Sequence, residues 1–125
     1  QGILDELSAA AARHAEIIFV LETTADSRGG LDRDARRAFD ELRPGASFYV
    51  WPAEKRPANG GLLHAKTVVA DRHAALISSA NLSGAAMERN MELGVLVTGE
   101  PLPRLVEQHF RSLIAERVLV PVVNT

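Results

Sequence analysis

Four residues in the middle of the chain are of the types, and at the spacing, that phosphate chemistry needs. His64 is followed two residues on by Lys66, and Ser79 and Asn81 return 15 and 17 residues after the histidine. An imidazole can act as a nucleophile, while an ammonium, a hydroxyl and an amide can each hold an anionic oxygen. Alone, His64 reads as a strand histidine that hydrogen-bonds locally. With Lys66 beside it that reading weakens. A lysine projecting from an otherwise apolar strand is costly to bury unpaired, so it answers an anion or a carboxylate, and phosphate fits.

The elements that would position these groups form a hairpin. Leu63 to Ala70, rich in Val and Thr, reads as one arm, and Ala74 to Ala80 as the other. A two-residue turn at Arg72 and His73 pairs Asp71 with Ala74, so that Lys66 faces Ser79 and His64 faces Asn81. Side chains alternate along a strand, and His64, Lys66, Ser79 and Asn81 then share one face. Asp71 has the opposite parity and sits where a turn begins, a structural place for an aspartate. Arg-His is not the Asn-Gly chemistry that two-residue hairpins prefer, and a longer turn shifts the register by one and scatters the cluster.

At these residues the chain resembles the phospholipase D superfamily, whose HKD signature runs His-x-Lys, four residues, Asp, six residues, then a Gly-Ser-x-Asn element. Here it stands as His64-Ala65-Lys66, Asp71 and Ser79-Ala80-Asn81, with Ser78 in place of the usual glycine. Glu92, in Asn90-Met91-Glu92-Leu93-Gly94-Val95, stands where family members carry a downstream acidic residue. Read without the family, Glu92 is a surface carboxylate at a strand start. The resemblance implies instead that it accepts a hydrogen bond from His64 Nδ1 and leaves Nε2 free to attack. It also implies that Asp71 supports its loop.

Composition sets bounds around that motif. The chain has 125 residues, 46% of them apolar, which is enough for one modest domain with a core. A net charge of −2 announces no nucleic acid globally and leaves room for a local patch. The absence of cysteine excludes a disulfide framework and a thiolate metal site. Four histidines without His-x-x-x-His spacing make a poor zinc site, and neither a Walker loop nor a Rossmann glycine fingerprint is present. His109 falls in an apolar helix stripe, His14 at a helix end and His73 in a turn. None of the three has a lysine two residues on. Arg36 and Arg37 read as a solvated helix face.

Taken in order, Ile3 to His14 reads as a helix and Glu16 to Glu22 as a strand buried on both faces. Thr23 to Gly30 is a polar loop, Leu31 to Leu42 a second helix closed by Arg43-Pro44-Gly45, and Ala46 to Trp51 a second strand. Pro52 to Gly61 is a Pro- and Gly-rich loop centred on Lys55 and Arg56, either a solvated connector or a cover for the site. After the hairpin, Ser83 caps a short helix, Gly84 to Met87. Glu92 to Thr98 is a strand, Leu102 to Ala115 a helix with one apolar stripe, and Val118 to Val123 a last strand or tail.

This order predicts an α/β fold, a mixed β-sheet with helices on both faces. The resemblance implies a phospholipase D-like half-domain over residues 1–125, the C-terminal two-thirds of one unit, with the family's opening strand and helix upstream of Gln1. It further implies metal-independent hydrolysis of a phosphodiester, with no cofactor. His64 would attack phosphorus, Lys66 and Asn81 would hold the non-bridging oxygens, Ser79 would add a hydrogen bond, and a second histidine would protonate the leaving oxygen. One motif supplies one histidine, so a homodimer through the HKD face is expected unless a second motif precedes Gln1. Nucleic acid is the expected substrate. Lipid phosphodiester transfer, or a non-catalytic module that binds phosphate or nucleic acid, is the alternative. No apolar run reaches the length of a membrane span, and a cytoplasmic, bacterial protein is expected. The resemblance extends to bacterial members found in phage defence.

Overall fold

A computed structural model describes residues 2–22, 35–80 and 91–122. The chain divides into two compact units, one of Gln1–Leu63 with Glu116–Thr125, the other of His64–Ala115.

The first unit opens with helix α1, Gly2–Ala12. The helix ends two residues before the sequence suggests. His14 takes the left-handed conformation (φ 63°) normally given to glycine, and Ala15 N–H bonds back to Ala10 C=O at 3.0 Å, the closure of a Schellman motif. Strand β1, Ile17–Val20, and strand β2, Ala46–Val50, pair in parallel, with Phe19 opposite Phe48. Strand β6, Val120–Pro121, joins the other side of β2 antiparallel, giving a mixed three-stranded sheet.

Between β1 and β2 the chain forms a 3₁₀ helix, Ala35–Gly45, which packs on α1 and β2. It runs through Pro44 to Gly45 instead of stopping at Leu42. A side chain on Gly45 would meet Ala11 Cβ at 3.0 Å, so this glycine lets the two helices touch. Phe19, Phe39, Leu42 and Phe48 are the buried core. Phe39 and Phe48 stack on Phe19 with centroids 4.7 and 5.0 Å away. In β1 only Phe19 is buried, so this strand has one closed face where the apolar run suggests two.

The second unit is an antiparallel meander of β3 (Thr67–Ala70), β4 (Ala74–Ser78) and β5 (Gly94–Thr98), with helix α2 (Leu102–Ala115) packed against all three strands. Ala75, at the centre of the sheet, is fully buried, and Pro103 is the other fully buried side chain. The α/β class expected from the element order therefore holds, with the strands divided between two three-stranded sheets. The loop Thr23 to Gly30, the start of the second helix at Leu31, and the helix capped by Ser83 lie outside the described residues.

Candidate active site

The hairpin turn sets the geometry of the site, and it is longer than a two-residue turn at Arg72-His73. The pairs are Ala70 with Ala74, Val69 with Ala75, Val68 with Leu76 and Thr67 with Ile77. Three residues, Asp71, Arg72 and His73, lie between the arms. Asp71 and Arg72 are both left-handed (φ 54° and 56°), and His73 N–H closes the turn on Ala70 C=O at 3.0 Å. His73 is held on the β4 side because its carbonyl accepts Gly99 N–H at 2.8 Å. The register is thus one residue away from that expected. Ser78, not Ser79, stands opposite Lys66, and its N–H bonds Lys66 C=O at 3.0 Å. Asp71 keeps its structural role as a turn residue. Arg72 Nε reaches Glu107 on α2 at 2.5 Å, which ties the turn to the helix.

At the opposite end of the meander, the residues leading into β3, those leaving β4 and those entering β5 come together. Two pairs of functional groups form there. In the first, the ammonium of Lys66 donates to His64 C=O at 2.8 Å and lies 3.1 Å from His64 Nδ1. An ammonium has only donors, so a neutral His64 accepts at Nδ1 and carries its proton on Nε2. In the second, Ser79 Oγ donates to Glu92 at 2.5 Å and accepts Leu93 N–H at 3.2 Å.

These contacts correct two expectations. Glu92 bonds Ser79 rather than His64 Nδ1, which faces Lys66. The hydroxyl proton of Ser79 is committed to Glu92 rather than free for a phosphate oxygen. The pairing with β5 brings the Ser79 hydroxyl there: Ser79 N–H bonds Leu93 C=O at 3.0 Å, beside Glu92. Asn81 lies outside the described residues.

Ser78 has a supporting place. Its Oγ accepts Ala80 N–H at 3.0 Å and turns the chain as it leaves β4. Gly94, its partner on β5, lets the strands close up, since a side chain there would meet Ser78 Cβ, Ser78 Oγ and Ile77 C=O at 3.2 Å each. His64 is exposed and Lys66 half-buried, so the imidazole is open to a ligand.

The first unit holds a polar cluster that sequence reasoning missed. Arg56 is 6% exposed, in a loop that reads equally well as a solvated connector. Its Nη1 and Nη2 clasp the Glu22 carboxylate at 3.0 and 2.5 Å. Its Nε and Nη2 donate to Trp51 C=O at 2.9 and 2.5 Å, and Nη1 donates to Gly61 C=O at 2.9 Å. The guanidinium also lies 4.9 Å from the centre of the Trp51 ring. Glu22 Oε2 accepts Leu63 N–H at 2.9 Å as well. The ion pair had no local signal, because Glu22 stands 34 residues from Arg56 and 41 from Leu63.

His109 lies at the exposed side of α2, edge-on to Phe110, as a helix-face histidine should. Among the described residues, no helix is long and apolar enough to cross a membrane.

Comparison with known proteins agrees with the motif. A family model described as "Cardiolipin synthase, PLD-like domain" matches residues 1–114. No curated protein matches the chain. A solved structure, that of the phospholipase D family member Nuc from Salmonella typhimurium, is similar in fold, with a TM-score of 0.71 and 21% identity. The similarity covers 98% of this chain and 74% of that one. The family model spans nearly the whole chain and the fold agrees: the chain belongs to the phospholipase D-like domain family.

Proposed function

We propose that this protein is a metal-independent phosphodiesterase that works through a phosphohistidine on His64, with nucleic acid as its substrate class. Family membership carries the general activity. The observation that carries the site is the His64–Lys66 pair at the polar end of the β3–β4–β5 sheet, with Ser79 and Glu92 bound to each other at that same end. A phosphate placed against this end meets an exposed imidazole and an ammonium.

In this geometry Lys66 occupies Nδ1, so the neutral imidazole holds its proton on Nε2, the nitrogen that must attack. Phosphate oxygens compete for the ammonium, because a charge-assisted bond to an anion is stronger than one to a neutral ring nitrogen. With Lys66 drawn to phosphate, a proton can reside on Nδ1 and Nε2 is released as the nucleophile. Attack on phosphorus forms the N–P bond as the P–O bond to the leaving alcohol breaks. A second histidine protonates that oxygen, and water then cleaves the N–P bond with the same histidine as base. Lys66 and Asn81 stabilise the charge on the non-bridging oxygens. Ser79 and Glu92, bonded to each other, would play a supporting part. This chain supplies one motif, and a twofold-related copy would supply the second histidine.

The family model's description names a cardiolipin synthase, and phosphatidyl transfer by the same intermediate is the second reading. It differs in the donor, a phospholipid instead of nucleic acid, and in the acceptor, an alcohol instead of water. Reactions with a ³²P-labelled oligonucleotide, quenched in alkaline denaturant, test the first reading. Label should appear on protein as an acid-labile, base-stable adduct, absent in His64→Ala. Labelling from a phosphatidyl donor alone would favour transfer, and no adduct from either would overturn the phosphohistidine route.

A further inference from the structure

Resting on that reading, we infer that Glu22 and Arg56 are positioning residues for His64. The network they form ends on the residue bonded to it. Arg56 has five N–H donors, and the described residues Glu22, Trp51 and Gly61 alone offer acceptors to Nε, Nη1 and Nη2. Its side chain is fully buried and that of Glu22 is 14% exposed. A buried charge is tolerated only where its hydrogen bonds are complete, and these are.

What the cluster joins is specific. Glu22 follows β1 and Trp51 follows β2. Because these strands are parallel, both lie at the C-terminal edge of their sheet, the edge at which open α/β sheets present their sites. Gly61 and Leu63 are the last residues of the loop before His64. The guanidinium fixes Gly61 through its carbonyl, and the carboxylate fixes Leu63 through its N–H. The glycine itself is enclosed, since a Cβ there would meet the Trp51 ring at 3.2 Å. The two anchors straddle Leu62, so the backbone is held at both ends of the step that leads into the nucleophile. A nucleophile must sit within a few tenths of an ångström of its attack position, and holding its chain is one way to achieve this.

The test uses the full-length protein and splits kcat from KM. The variant Glu22→Leu with Arg56→Met removes both charges together, so neither is left buried without its partner. Arg56→Lys keeps the cation and loses the planar fork. With folding checked by circular dichroism, the paired variant should lose about 10- to 100-fold in kcat, the scale of a misplaced reacting group, at nearly unchanged KM. Arg56→Lys should fall between it and wild type, and serves as the reporter if the paired variant does not fold. Wild-type kcat in either folded variant overturns the positioning role. So does a change confined to KM. A wild type with no turnover on any phosphodiester overturns the proposed function and this inference together, whereas the variant results overturn this inference alone.

Discussion

The two units are held together differently. In the first, three phenylalanine rings stack, Leu42 closes the cluster, and even the arginine of the connecting loop is sealed with its donors satisfied. In the second, only Ala75 and Pro103 are buried among the described residues, and the ladder Val68, Leu76 and Leu96 is 51%, 41% and 65% exposed. The chemical groups stand at the end of that more open sheet. The contrast shows a division of labour: apolar burial and a saturated ion pair stabilise the first unit, while the second presents polar side chains on a short meander. A substitution should therefore be read mainly as stability in one unit and mainly as activity in the other.

The largest stability effect should come from Phe19→Ala, which removes the ring at the centre of the stack. It should cost about 3–5 kcal/mol in denaturant unfolding, and a loss below about 1 kcal/mol would break the contrast. In the second unit, Ser79→Ala deletes the partner of Glu92. Disturbing a pair at the end of the sheet that carries His64 should appear as roughly 10- to 100-fold lower turnover, and because the bond is exposed the unfolding midpoint should be little moved. A variant equally active but markedly less stable would make Ser79 structural. The smallest effect should be that of Arg72→Ala. It breaks an ion pair whose arginine side chain is 60% exposed, and such pairs contribute about 0–1 kcal/mol. Its turnover should stay near wild type, because the turn lies at the far end of the sheet from His64.

How much of this was legible in the sequence depends on how local the signal was. Helix α2 runs from Leu102 to Ala115 as its apolar stripe predicts, because a repeating face is written in consecutive residues. The arms of the hairpin were readable in part: the strands are Thr67–Ala70 and Ala74–Ser78, shorter than the expected Leu63 to Ala70 and Ala74 to Ala80, so His64 and Lys66 lie just before β3 rather than on it. The hairpin register was not readable, because two non-glycine residues, Asp71 and Arg72, adopt left-handed backbone and β5 captures His73. Neither is a property of the turn residues alone. That single shift moves Ser78 into the place expected for Ser79. The motif brought His64, Lys66, Ser79 and Glu92 into one reading, while the contacts among them in the structure are His64 with Lys66 and Ser79 with Glu92. Arg56 lay deeper still: a charged residue in a Pro- and Gly-rich loop reads as solvated, and only the fold brings Glu22 to it.

The central claim is that His64 is a nucleophile in a reaction that needs no metal. The most direct measurement is hydrolysis of a generic phosphodiester, and of single- and double-stranded DNA, by the full-length protein in excess chelator, with His64→Ala run in parallel. Turnover that survives chelation in the wild type and vanishes in the variant is the predicted result. Turnover abolished by chelator, or retained in full by His64→Ala, would contradict it.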